Sequence, residues 1–226
     1  MTNCIEIKGL CKSYGDFALN NIDLTLPGGS ILGLIGENGA GKTTTIKCVL
    51  NLIRRDTGEI TLLGYDNVRE ERLAKQDVGV VLDKCFFHDT LRPRDVGSIL
   101  APAYQNWDQG LFRDYLSKFG LPEKKFIKEF SRGMKMKLSL SAALAHRPKL
   151  LILDEATAGL DPVIRDEILD EFLGFIQDED HAILMSSHIT SDLEKVADYI
   201  AYIHQGQVVL SDAKDAILDS YGRVGC

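Results

Sequence analysis

Apolar positions along the chain follow two rhythms. Runs that alternate every second residue, or that carry no polar interruption, predict strands at Ile5-Glu6-Ile7, Asn21–Leu26, Ile31–Ile35, Glu59–Leu63, Val78–Leu82, Leu150–Leu153 and the shorter Ile183–Met185. Val78–Leu82 and Leu150–Leu153 read as central parallel strands with both faces covered. Helical spacing takes over between them. Thr44–Leu52 has helix character until Asp56-Thr57-Gly58 breaks it, and residues 163–177 align Ile164, Ile168, Phe172 and Phe175 or Ile176 on one stripe. From about residue 89 to 145 the apolar positions (Ile99 and Ala103, then Leu111, Tyr115 and Phe119) recur at helical spacing without a convincing strand, so this stretch predicts a helical lobe inserted into an α/β domain.

Composition narrows the class. With 226 residues, 45% hydrophobic and 8% aromatic, the chain can bury a sizeable core and is neither disordered nor fibrous. Its longest apolar runs, such as Ile31–Gly36, fall far short of the roughly 20 residues that span a bilayer. The start, Met1–Glu6, has neither the basic nor the apolar part of a secretion signal, which predicts a soluble cytosolic protein. Five cysteines (Cys4, Cys11, Cys48, Cys85, Cys226) without a C-x-x-C pair predict reduced thiols rather than a zinc site. The net charge of −7 argues against general nucleic-acid binding. That charge is uneven: residues 1–150 hold 22 basic and 17 acidic side chains, and residues 151–226 hold 4 and 16.

Two stretches carry chemistry. Gly36-Glu37-Asn38-Gly39-Ala40-Gly41-Lys42-Thr43 fits G-x-x-x-x-G-K-[ST] and lies between a predicted strand and a predicted helix. Glycines let successive N–H groups turn toward phosphate oxygens, and the helix N-terminus adds its positive dipole end. Lys42 would reach the β- and γ-phosphates and Thr43 would ligate Mg²⁺, with Thr44 next in line. Leu150–Leu153 runs into Asp154-Glu155. Asp154 suits the Mg²⁺ shell, while Glu155, one residue on, can point elsewhere and polarise an attacking water as the catalytic base.

The order of the remaining motifs resembles the ATP-binding cassette (ABC) family over essentially the whole chain. Ser131-Arg132-Gly133-Met134-Lys135 resembles the signature motif, Ala158-Gly159-Leu160-Asp161 the D-loop, and Ser186-Ser187-His188 the switch-histidine segment. The form of the signature looks most like ATPases of ABC-2-type bacterial exporters. The resemblance implies an ABC ATPase domain of the P-loop NTPase class, α/β, with a mostly parallel central sheet, an antiparallel β subdomain and the helical insertion lobe. It implies one domain over 1–226, in which 1–88 and 146–226 form a RecA-like core with the β subdomain and about 89–145 the lobe. Family members often continue beyond a stretch such as 213–221, so a shortened chain is also expected.

The family's function carries over in the same way. Two cassettes, alike or paralogous, pair head to tail around two ATP molecules with Mg²⁺, and a separate integral membrane permease is driven from the cytoplasmic face of the membrane. A single-cassette assembly ATPase is the alternative. Tyr14 stands where an aromatic stacks on adenine; the Ser131 hydroxyl, the Gly133 N–H and Asp161 face the partner's nucleotide, and His188 contacts the γ-phosphate. Ser131 also suits a helix N-cap ahead of Met134–Leu144.

Two places depart from the family's pattern: Asp83, and the signature, where Arg132 and Met134 stand for the usual glycine and glutamine. Asp83 follows Val78–Leu82 where most cassettes have glutamine, and is expected to reach the metal only through water, unless the register is off and it merely sits near the loop. Arg132 replaces a glycine and either points away from the nucleotide or adds positive charge near it. Lys124, Lys125, Lys128, Arg132, Lys135 and Lys137 form a basic cluster around the signature, either a solvated face or a surface that steers the partner's ATP. The resemblance implies that the permease contacts the 83–107 region; Trp107 either lies in that groove or, the favoured reading, is a half-buried packing residue. His88, His146, His181 and His204 are read as surface or satisfied histidines.

Overall fold

The structure is a computed structural model, and it describes residues 2–221, without the side chain of Tyr221; Met1 and residues 222–226, Cys226 among them, lie outside that description. Two sheets form in chain order. Strands β1 (Asn3–Tyr14) and β2 (Phe17–Pro27) make a long hairpin, which β4 (Thr57–Leu62) and β5 (Tyr65–Asp66) extend into an antiparallel sheet of order β2-β1-β4-β5. The period-two pattern turns Ile5, Ile7, Ile22, Leu24, Leu26 and Ile60 inward. The register of β1 shifts around Gly9, which takes φ +61°.

The second sheet has the order β10-β9-β3-β8-β7-β6, built from β3 (Ser30–Ile35), β6 (Val78–Val81), β7 (Leu150–Asp154), β8 (Ala182–Ser186), β9 (Tyr199–His204) and β10 (Gln207–Ala213). All neighbours are parallel except the β9–β10 hairpin. Strands β7 and β8 are buried along their whole length. Successive residues serve opposite faces. Leu151, Leu153, Ile183 and Met185 join one apolar cluster, and Leu150, Ile152, Ala182 and Leu184 join the other. The first cluster holds α5 (Arg132–Leu144), α6 (Pro162–Phe175) and α7 (Thr190–Val196); the second holds α1 (Lys42–Val49) and the antiparallel sheet. Val78–Val81 lies at the sheet edge rather than in its centre. It is apolar because α5 and α2 (Glu71–Gln76) cover it from either side. Gly79 makes the fit possible, since a Cβ there would come within 2.6 Å of Leu151 Cδ2 and 2.9 Å of Ala143 O.

The lobe comprises α3 (Pro93–Leu100), α4 (Gln109–Lys118), a 3-10 turn (Ile127–Glu129) and α5. Asp95 accepts from Arg92 N at 2.9 Å and Asp108 from Leu111 N at 2.9 Å, so each of the first two helices starts on a carboxylate. The buried stripe is Val96, Phe112, Leu116 and Phe119, while Ile99 is 56% exposed and Leu111 and Tyr115 are only partly covered. Phe119 is thus buried as expected, while Phe112 and Leu116 take the places expected for their neighbours Leu111 and Tyr115. Both neighbouring residues are apolar, and spacing alone does not choose between them. Trp107 is half-buried against Phe112, with Nε1 donating to Gln109 Oε1 at 3.0 Å. No helix among the described residues is long and apolar enough to cross a membrane.

Candidate nucleotide site

Three parallel strands, β3, β7 and β8, deliver their C-terminal ends to one edge of the core sheet, the edge at which open α/β sheets gather ligands. From β3 the chain enters the loop Gly36–Gly41 and then α1. Gly39 and Gly41 adopt φ +83° and +122°, a region that L side chains avoid. A Cβ on Gly41 would come within 2.6 Å of Leu19 Cδ2 and 3.2 Å of Phe17 Cζ. The end of the β1–β2 hairpin therefore packs on the loop. Tyr14 pairs with Phe17 across that hairpin and is 45% exposed, with Lys12 Nζ 5.2 Å from its ring centre.

Lys42 opens α1 and is 5% exposed. Its ammonium donates to Gly36 O at 2.7 Å and Glu37 O at 3.3 Å, which holds it over the loop. Glu155 Oε1 lies 3.7 Å from the same nitrogen. The buried Asp154 carboxylate accepts from Ser186 Oγ at 2.6 Å and from Thr43 Oγ1 at 3.2 Å, both on Oδ1. Ser186 also accepts from Glu155 N at 3.1 Å. Glu155 adopts φ +52°, uncommon for a residue with a side chain, and this turn sends its carboxylate away from that of Asp154. Its Oε2 meets His188 Nδ1 at 2.6 Å. Lys42, Glu155 and His188 thus form one continuous polar chain, and Thr43, Asp154 and Ser186 a second beside it.

The other expected site residues lie elsewhere. Ser131 is exposed and caps α5, accepting from Met134 N at 3.2 Å. Gly133 is buried against α6, where a Cβ would come within 2.6 Å of Ile164 Cδ1. Asp161 is the exposed N-cap of α6 and accepts from Ile164 N at 3.1 Å. None of these three hydrogen-bonds the Gly36–Thr43 loop among the described residues. Arg132 lies on the D-loop, with Nη1 2.7 Å from the position of a Cβ on Gly159. Asp83 is exposed just past β6 and has no hydrogen-bond or ion-pair partner among the described residues. Thr44 is half-buried in the first turn of α1. Of the basic cluster, Lys135 pairs with Asp89 at 2.7 Å and Lys137 with Glu167 at 2.6 Å.

The sequence placed Ser186 in the switch-histidine segment but gave it no role of its own. Its hydroxyl joins the two carboxylate positions, and the signal available was a serine at the end of a strand directly before His188.

A phosphate-cradling loop, a strand-end carboxylate pair and a histidine-bearing third strand on this two-sheet frame define an ATP-hydrolysing cassette, and the chain belongs to the ABC transporter family, whose profile matches residues 19–158. Among its relatives is the lantibiotic transport ATP-binding protein SrtF of Streptococcus pyogenes, 34% identical over 214 residues, with 93% of this chain and 91% of that protein covered. The bacitracin transport ATP-binding protein BcrA of Bacillus licheniformis is 32% identical over 92% of this chain and 69% of its own length. A solved ATP-binding subunit of an ABC transporter superposes with a TM-score of 0.89 at 26% identity, covering 99% of this chain and 95% of that one. The fold is shared with cbiO1 from Clostridium perfringens at a TM-score of 0.81 and 19% identity. The protein is thus an ATP-binding, ATP-hydrolysing subunit of an ABC transport system, related to ATPases of ABC-2-type exporters.

Proposed function

We propose that two cassettes, identical or paralogous, close head to tail over two ATP molecules and that their cycle of pairing and release drives a separate integral membrane permease from the cytoplasmic face. The observation that carries this reading is the Lys42–Glu155–His188 chain at the sheet edge. Lys42 binds the β- and γ-phosphate oxygens together with the loop amides, and Tyr14, at the hairpin end beside the loop, stacks on the adenine. Glu155 orients the attacking water and accepts its proton, while His188, hydrogen-bonded to that carboxylate, holds the γ-phosphate. Ser131 and Asp161, exposed at the starts of α5 and α6, serve the partner's nucleotide together with the N–H of Gly133 in the first turn of α5.

A divalent cation fits the second polar chain. Thr43 Oγ1 and Asp154 Oδ1, two hard oxygens 3.2 Å apart, match the spacing of neighbouring ligands in an octahedral Mg²⁺ shell. When bound, Mg²⁺ neutralises charge on the β- and γ-phosphate oxygens. Asp83 approaches that shell through water. Both relatives named above are called transport proteins, which favours the permease over the assembly-ATPase reading.

Light scattering on Glu155→Gln tests the pairing. With ATP and Mg²⁺ its mass should double, and with ADP it should not. A mass unaffected by ATP, alone and with any paralogous cassette that co-purifies, contradicts the reading.

A further inference from the structure

The first turn of α6 touches three segments beside the proposed nucleotide sandwich: the start of α5, the D-loop and α7. On one side Ile164 packs on Gly133, while Arg132 covers Gly159. At its start Asp161 forms the cap. On the far side Arg165 Nη2 donates to Leu160 O in the D-loop at 3.1 Å, and its Nη1 lies 3.9 Å from Asp192 Oδ1 on α7. The chain reaches α7 from β8 through Ser187, His188 and Ile189.

This ion pair is deeply placed and loosely made. The Asp192 side chain is 2% exposed and that of Arg165 24%. Asp192 Oδ2 and Arg165 Nε have no hydrogen-bond partner among the described residues. One long contact to a guanidinium that keeps 24% of its surface in water returns little of the cost of burying the Asp192 carboxylate, so the pair adds little to stability. The α6–α7 seam has other means of cohesion. Ile168, Leu169, Leu193 and Val196 share one apolar cluster, and Lys195 meets Asp166 at 2.6 Å on the surface. What the buried charges add is register, because the guanidinium fork spans from the D-loop carbonyl to the helix that follows His188.

We propose that Arg165 and Asp192 are positioning residues for ATP hydrolysis, holding the D-loop and the switch-histidine helix in one register so that movement of His188 against the γ-phosphate is passed to Asp161 at the partner's site. The proposal rests on the reading of His188 and Asp161 given above.

Two variants test it. Arg165→Lys leaves Asp192 a counter-charge but lacks the fork that reaches Leu160 O as well. Arg165→Met with Asp192→Leu replaces the pair by apolar groups of similar size. Both should lower kcat at least tenfold with KM for ATP within threefold, and the double variant should melt at or above the wild-type temperature. A purely structural role predicts the reverse: a lower melting temperature with normal kcat per folded molecule. Turnover within twofold of wild type by either folded variant overturns the proposal, and Arg165→Lys decides alone if the double variant does not fold. Glu155→Gln in the same assay separates the two levels. If it hydrolyses ATP normally, the site reading fails; if it is inactive beside a fully active Arg165→Lys, only the positioning pair fails.

Discussion

A buried histidine sets a pH limit on the fold. His146 follows α5, is 1% exposed, and stacks on Tyr104 with ring centres 3.9 Å apart. Neither ring nitrogen makes a hydrogen bond of ordinary geometry among the described residues, although the Val78 and Ala142 backbones lie close to the ring. Burial pushes its imidazole down to about 4 from the usual 6.5, which the nearby Val78 and Ala142 backbones and Asp77 offset only in part. Between those values the unfolded chain takes up a proton that the folded chain refuses. The stabilising contribution is therefore complete above about pH 6.5 and falls as pH drops toward 4, by about 3 kcal/mol. Urea unfolding at pH 7 and pH 4.5 should show this loss, and His146→Phe, which keeps the aromatic stack, should remove most of it. The candidate site was more legible. The cradle at Gly36–Thr43 and the Asp154-Glu155 pair announce themselves because phosphate chemistry demands those residue types at fixed spacing. The Ser186 bridge and the Arg165–Asp192 contact join positions 32 and 27 residues apart, and no local pattern marks such pairs.

Among the elements, legibility followed amphipathic contrast. Strands β3 and β7 are continuous apolar runs and were found nearly to the residue. By contrast β5, α2, α7, β9 and β10 went unread. The two-residue β5 has no period to show, α2 and α7 are short, and β10 at the sheet edge alternates only weakly between half-buried and exposed positions. Helix α1 starts at Lys42, two residues before the expected Thr44, because the loop glycines lead straight into its first turn. At the other end of α1 Asn67 does what no run of apolar residues could signal. From 2% exposure its Nδ2 donates to Cys48 O and Val49 O, both at 2.8 Å, and its Oδ1 accepts from Arg55 Nη1 at 2.6 Å. Asn67→Ala leaves two helix-end carbonyls and a guanidinium without this partner. It should cost about 2 kcal/mol and lower the melting temperature by about 6 °C, read by calorimetry, with ATP affinity intact.

For the whole molecule the uneven charge becomes a surface. Lys135 and Lys137 are committed to Asp89 and Glu167, which leaves Lys124, Lys125 and Lys128 as the exposed lysines of the basic cluster, beside Arg132 on the D-loop. If this face meets a partner carrying ATP, reversing all three to Glu should slow ATP-dependent pairing at low salt and have less effect at high salt, as stopped-flow light scattering would show. Pairing rates unchanged at low salt would assign the lysines to simple solvation. Beneath such assembly questions lies the chemistry at one sheet edge, where a single carboxylate is held between Lys42 and His188. Single-turnover hydrolysis of radiolabelled ATP by Glu155→Gln tests that arrangement most directly. ATP should bind with wild-type affinity while phosphate release falls at least a hundredfold. Phosphate release at the wild-type rate would contradict the account.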